Sequence, residues 1–313
     1  MTERIPLRHR IEYGAYRFAR WLWTAVPEGV AVRMGAAAGW IAGSVLRIRR
    51  REVDEHVALA FPDRPASWRR RVARGSYAHL GREAAILVRM PTWSRTEIAA
   101  RVRFDNLEEL RAAADRGAVV VLTAHLGNWE IAGAALAALG FPMDVVGKGM
   151  ANRRFERDLF ALRERLGMRV IEITDAPKGV LRSLGRGRVA ALLGDQNAHR
   201  YGVHLPFFGR LAATSRGPAL FALRTGAPVF VGFPIRDPGW AQTYTLRARR
   251  LAFEPGETLE ERTMNLLTAY HRELEESIRA APDQYLWQHK RWKTRPPRER
   301  DAASEGEEQR SHG

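Results

Sequence analysis

Cysteine is absent from this 313-residue chain. That excludes a disulfide scaffold, a thiolate zinc site and a cysteine nucleophile, and it gives no reason to place the chain in an oxidising compartment. Long apolar runs are missing too. The longest uncharged stretches, Met34–Leu46, Gly117–Trp129 and Ile131–Met143, are 13 residues each, whereas a spanning helix needs roughly 18–20 apolar residues. No transmembrane span is therefore expected. No cleavable signal peptide is expected either, because the N-terminus is heavily charged and no small-residue cleavage site follows an apolar core. The chain also lacks a Gly-x-Ser-x-Gly elbow, a P-loop and a His-Glu-x-x-His pair, so the hydrolases, nucleotide hydrolases and zinc proteases that carry them are not indicated. Lysine is scarce, with only Lys148, Lys178, Lys290 and Lys293.

Arginine fills the gap. Lys+Arg number 51 against Asp+Glu 35, for a net charge of +16 and a pI near 11.1. The segment Arg295–Gly313 holds four arginines and five acids, so the excess belongs to the body of the chain. Guanidinium forks suit phosphates and carboxylates. A basic body implies an anionic partner: nucleic acid, an anionic lipid surface, a phosphorylated lipid or an acidic carrier protein. A merely arginine-rich composition is the bland alternative. The hydrophobic fraction of 45% is ordinary for a chain that buries a core.

Residues 1–50 read as two helices broken around Pro27-Glu28-Gly29. Aromatics and arginines interleave from Tyr13 to Trp23, and the knot Arg47, Arg49, Arg50, Arg51 follows the Gly/Ala-rich stretch Met34–Leu46. This pattern suits helices lying in a bilayer interface, or an amphipathic pair packed on a core. Residues 51–115 read as helical, with breaks at Phe61–Pro65 and Met90-Pro91 and with Ser67 as an N-cap. From Gly117 short β-branched runs alternate with helices: Ala118–Thr123, Met143–Val146, Arg169–Ile173, Val189–Leu193 and Pro228–Phe233. Such runs are the mark of buried parallel strands. Thr243–Leu251 reads as an edge strand and Leu259–Ala280 as a long helix. The expected architecture is α/β: a mixed, mostly parallel sheet flanked by helices. Residues 1–50 form a membrane-associating helical layer, residues 51–297 the main domain with its α/β part at about 100–295, and residues 298–313 a disordered polar tail.

The strongest local signal is the stretch from Val119 to Gly133. A buried strand ends at Ala124, and a helix starts at Trp129 with Asn128 as N-cap. His125 thus lies at the carboxyl end of a strand, where open α/β sheets place their ligands. Glu130 lies in the first helical turn. On one helix, residues five apart diverge by about 140°, but across a strand–turn–helix corner a carboxylate can reach the imidazole. Glu130 is then expected to fix the tautomer of His125, whose free nitrogen takes a proton from a hydroxyl. Exposed N–H groups at the helix start would stabilise an oxyanion. The alternative is a structural histidine with Glu130 supporting the helix through its dipole. His199 and His204 lack a nearby acid pair, and no metal site is expected. His56, His79 and His271 read as surface or packing histidines.

The form His-Leu-Gly-Asn-Trp-Glu at 125–130 resembles the His-x4-Asp/Glu motif of glycerolipid acyltransferases, in the version of the bacterial lipid A late acyltransferases. The resemblance covers most of the chain. It includes Ala58–Pro62, the block Lys148–Gly167, Gly194-Asp195-Gln196 with Pro206–Gly209 and Thr214, and the closing Trp287-Gln288-His289-Lys290-Arg291-Trp292-Lys293. Departures fall at His56-Val57, Lys148-Gly149 and Asn152-Arg153. The resemblance implies transfer of a fatty acyl group from an acyl carrier protein thioester to a hydroxyl of a phosphorylated lipid A precursor, at the cytoplasmic face of the bacterial inner membrane. It implies His125 as general base with Glu130 as partner, no cofactor beyond the thioester, and Asn128 positioning the turn. Lys148, Asn152, Arg163 and Arg165 would bind acceptor phosphate or headgroup, and Asp195 and Gln196 would contact sugar hydroxyls or support the site. Actinobacterial phosphatidylinositol mannoside acyltransferases look similar, and imply an acyl-CoA donor and another glycolipid acceptor. A non-catalytic basic module on membrane or nucleic acid is the reading from a different class. No helix-turn-helix, RNA-recognition or finger signature supports nucleic acid.

Overall fold

A computed structural model describes residues 6–240 and 242–296; the expected polar tail lies outside these residues. Five helices come first: α1 (Leu7–Ala25), α2 (Glu28–Ser44), α3 (Arg50–Ala60), α4 (Ala66–Arg89) and α5 (Arg95–Ala99). Pro27 serves as the N-cap of α2, which accounts for the break read there. The expected cap Ser67 instead lies inside the first turn of α4, whose N-cap is Pro65. The Gly/Ala-rich sequence of α2 has a packing cause. A Cβ on Gly39 would lie 2.0 Å from the Tyr77 carbonyl oxygen, and one on Gly35 would lie 2.4 Å from that of Gly81. Small residues let the two backbones approach, so one side of α2 is spent on α4.

The α/β part alternates as expected. After β1 (Val102–Asp105) come α6 (Leu107–Arg116), β2 (Val119–Thr123), α7 (Trp129–Ala138), β3 (Met143–Gly147), α8 (Arg153–Arg165), β4 (Arg169–Glu172), α9 (Ala176–Leu184) and β5 (Val189–Leu193). The chain then forms a hairpin of β6 (Val203–Phe207) and β7 (Arg210–Thr214), then α10 (Gly217–Thr225), β8 (Val229–Val231), β9 (Pro234–Arg236), β10 (Tyr244–Arg247), β11 (Arg249–Arg250) and α11 (Leu259–Ala280). The main sheet runs β11-β8-β2-β5-β3-β4. All its pairings are parallel except that of β11 with β8. The single edge strand expected over Thr243–Leu251 is split. Its first half, β10, joins β1 and β9 in a separate sheet, and only β11 reaches the main one.

Both faces of the main sheet are covered. Along β2, Val120 and Leu122 enter one hydrophobic core with α4, α9, α10 and α11, while Val119 and Val121 enter the other with α5, α6 and α7. A strand buried on both faces is apolar at every position, as Val119–Leu122 is. Among the described residues no helix is long and apolar enough to cross a membrane.

Candidate active site

Parallel pairing of β2 with β5 sets Thr123 opposite Leu193. Two residues further along each strand stand His125 and Asp195, so the register carries them to the same end of the sheet. His125 Nδ1 lies 2.9 Å from Asp195 Oδ1, and the His125 backbone N–H donates to Asp195 Oδ2 at 3.1 Å. One buried carboxylate thus holds both the ring and the backbone of the histidine. Nδ1–H donates, leaving Nε2 as the acceptor toward the cleft. The Gln196 side-chain nitrogen lies 3.2 Å from Nε2. Burial alone would lower the His125 pKa; the charge of Asp195, the hydrogen bond to it and the charge of Glu130 outweigh burial and raise it above the ordinary 6.5. Burial likewise pushes Asp195 up, but its contacts with His125 and the nearby Arg291 hold it below the usual carboxylate range.

The Glu130 carboxylate is elsewhere. Arg163 on α8 grips it with a fork, Nε to Oε2 at 3.1 Å and Nη2 to Oε1, with both side chains 12% exposed. The corner does fold as read, but its helix turns Glu130 toward α8 while β5 supplies the histidine's partner. Glu130 therefore acts on His125 through its charge and not through a hydrogen bond.

The corner between β2 and α7 is rigid for identifiable reasons. Gly127 has φ +65°, and a Cβ there would lie 1.7 Å from the Pro234 carbonyl oxygen. Neighbouring backbone bonds run from Gly127 to Gln284, from Asn128 to Pro234 and from Leu286 to His125. Asn128 is buried and fully used. Its Oδ1 accepts from the Ile131 N–H at 2.9 Å, capping α7, and its Nδ2 donates to Glu83 at 2.6 Å. It supports the turn, as read, and faces no cleft. Glu83 on α4 also accepts from Tyr244 at 2.6 Å, and burial raises its pKa. Beside it His79 is pushed down to about 3 by burial and by the Arg236 cation, so it is neutral. Truncating Glu83 strands two buried donors, each costing about 1–3 kcal/mol. We expect Glu83→Ala to destabilise the protein by roughly 2–4 kcal/mol in urea unfolding; an unchanged midpoint would remove Glu83 from this supporting role.

The other expected acceptor contacts separate in space. Lys148 is exposed on the loop after β3. Asn152 is buried; it caps α8 through Arg154 N–H and donates to the His9 carbonyl at 2.9 Å, tying α8 to α1. Arg165 donates to the Met90 carbonyl at 3.3 Å and borders a cleft against α1. So Arg163 is committed to Glu130 and Asn152 to the fold, while Lys148 and Arg165 are exposed. The closing block pins the site from behind. His289 Nε2 accepts from the Asn197 N–H at 2.9 Å, and fully buried Arg291 donates to Ala213 and Thr214. Trp287 is buried, as expected. Among the described residues no three metal-ligating side chains converge.

Trp129 stacks edge-on against the His125 ring with centroids 4.6 Å apart. No local sequence pattern marks this contact. Behind it an apolar groove runs between α7 and the sheet, bordered by Val121, Gly133, Leu136 and Met168, with Glu130 and Arg163 along its edge. The arrangement offers a base with an oriented lone pair beside an apolar slot, which suits proton removal from a hydroxyl next to a bound hydrocarbon.

Comparison with known proteins is consistent with this chemistry. Residues 2–294 match the family model described as bacterial lipid A biosynthesis acyltransferase. The chain is 28% identical over 239 residues to the phosphatidylinositol mannoside acyltransferase of Mycolicibacterium smegmatis, covering 74% of this chain and 77% of that protein. It is 27% identical over 282 residues to the lipid A biosynthesis palmitoleoyltransferase of Escherichia coli, covering 88% and 89%. The lauroyltransferase of the same organism is 26% identical over 286 residues, covering 88% and 89%.

Proposed function

The chain belongs to the family of bacterial lipid A biosynthesis acyltransferases, and on that premise we propose that it moves a fatty acyl group from an acyl carrier protein thioester to a hydroxyl of a phosphorylated lipid A precursor. The observation that carries the mechanism is the seat of His125 on Asp195. Nε2 takes the proton of the acceptor hydroxyl, and the oxygen attacks the thioester carbonyl. Asp195 stabilises the imidazolium that forms. The tetrahedral intermediate collapses, the carbon–sulfur bond breaks, and the departing thiolate receives the proton from His125. The acyl chain enters the groove beside α7, which has a volume near 60 Å³ and widens to take a long chain, and Gln196 moves off Nε2 to admit the hydroxyl. No covalent enzyme intermediate is needed, which fits a chain without cysteine. Membership of an acyltransferase family sets aside the non-catalytic module.

A second acceptor is supported by the mannoside acyltransferase relative. The same dyad would then serve acyl-CoA and a different glycolipid. One assay separates the two: acyl carrier protein and coenzyme A thioesters offered against lipid A precursor and against total membrane lipid. Lipid A precursor acylated from the carrier protein, and not by His125→Ala, is the expected result. Acylation of another lipid only would replace the acceptor, and no transfer by folded protein would overturn the reading.

The bilayer partner is supported by α1. Leu7, Ile11, Phe18 and Trp21 are 63–69% exposed, and at 100° per residue they fall within an arc of about 80°. Arg10 and Arg17 border one side of that stripe. This is the form of a helix lying in a lipid interface, here taken to be the cytoplasmic face of the inner membrane. Each exposed aromatic gains about 1.5–3 kcal/mol on burial, so Phe18→Glu with Trp21→Glu is expected to weaken binding to anionic vesicles at least about tenfold. Unchanged partitioning in a flotation assay would take α1 off the membrane.

A further inference from the structure

We propose that the cleft between α1 and the last turn of α8 binds the phosphate of a lipid headgroup. The cleft has a volume near 540 Å³ and is bordered by Arg17, Arg20 and Trp21 of α1, by Pro91, and by Leu162 and Arg165 of α8. Three arginines therefore line it. One carboxylate, Asp158, shares its wall, and that group accepts the Tyr13 hydroxyl at 2.7 Å. Among the described residues no carboxylate pairs with Arg17, Arg20 or Arg165, and the only hydrogen bond of an Arg165 nitrogen goes to a backbone carbonyl. Unpaired guanidiniums around an open cavity suit a tetrahedral dianion, which accepts from their forks on several sides.

The position of the cleft selects the source of the phosphate. On α1, Trp21 is the edge of the apolar stripe and Arg17 stands about 40° beyond it, so the cleft opens where that helix would meet headgroups. Trp21, Pro91 and Leu162 give it an apolar wall for the glycerol and first methylenes. On α8, Arg163 and Arg165 are about 200° apart. The first faces Glu130 at the acyl groove and the second faces the cleft. A lipid held by its phosphate here lies across one helix from the groove that is bordered by Trp129, the ring neighbour of His125.

The assignment takes the lipid source from the reading of α1 as a membrane face, so the test is made without a bilayer. Labelled dihexanoyl phosphatidic acid is dialysed to equilibrium against the full chain. We expect saturable one-to-one binding that weakens about tenfold in Arg20→Gln and in Arg165→Gln, and no change in Arg10→Gln, an exposed arginine of the same helix outside the cleft. Dihexanoyl phosphatidylcholine is expected to bind about tenfold more weakly, and orthophosphate more weakly still. Equal binding of phosphatidylcholine overturns the proposal, as does wild-type binding by both cleft variants. Orthophosphate binding as tightly as the lipid overturns the headgroup assignment. A variant with Ile11→Glu and Phe18→Glu, stripe residues outside the cleft, that loses vesicles yet still binds the monomeric lipid supports the cleft separately from the membrane face.

Discussion

Asp195→Asn is expected to reduce kcat/KM by about 10³–10⁴-fold while leaving the fold intact. The side chain keeps its shape, but the amide removes the charge that stabilises the imidazolium and can hold the ring in the wrong tautomer. The pH profile gives an independent signature. His125 must be neutral to act as base, so activity falls as pH drops through its pKa, which lies above 6.5 in the native protein. Burial opposes the charged form and Asp195 favours it. With the charge of Asp195 gone, burial prevails and the acid limb of the remaining activity moves to lower pH. Glu130→Gln is expected to behave differently. It leaves Arg163 half-paired at the edge of the groove, so stability falls along with activity, and the acid limb moves less. Pre-steady-state transfer with both variants across pH 5–8 decides the matter. Equal losses with equal pH shifts would return Glu130 to the role that its spacing from His125 first indicates.

The seat of His125 on Asp195, with Glu130 on Arg163, follows from topology. Strand β2, the turn, Asn128 as cap and α7 are local features, and all four were legible. Asp195 was legible as a residue after a strand. Its placement beside His125 depends on β5 pairing with β2, although β3 and β4 come between them in the chain. No local pattern states that order. The same limit hid the β6–β7 hairpin. Phe208 and Gly209 both have positive φ, the signature of a tight two-residue turn, but Phe at the first position disguises it. The arginines show the converse. Their number and the wish for an anionic partner were plain in the composition, whereas Arg163 and Arg165, two residues apart, serve different neighbours because a helix turns them to opposite sides. Small residues in α2 fit a helix in a bilayer interface or one packed on a core; in the fold they allow its close contact with α4.

Chain-length choice is the second large effect, and it turns on Gly133. This residue stands one turn beyond Trp129 on α7 and borders the groove; a Cβ there would lie 3.0 Å from Met168 Sδ. A larger side chain must therefore project into the space an acyl chain would use. The helix tolerates the change, since Gly to Leu gains up to about 1 kcal/mol of helix propensity. Each methylene excluded from an apolar site removes about 1–3 kcal/mol of discrimination. Gly133→Leu is accordingly expected to lower kcat/KM for a long acyl thioester by about 10–100-fold for each methylene excluded, while a chain short enough to clear the new side chain is used nearly as well. Competition between the two thioesters in one reaction reads the ratio directly and cancels any general loss of activity. If both chains slow equally, the slot behind Trp129 is a packing defect of the core and the hydrocarbon lies elsewhere. If the ratio inverts, α7 carries the acyl chain from the reacting carbon at His125 towards Leu136, and the residue that measures its length sits on the same helix that Asn128 caps.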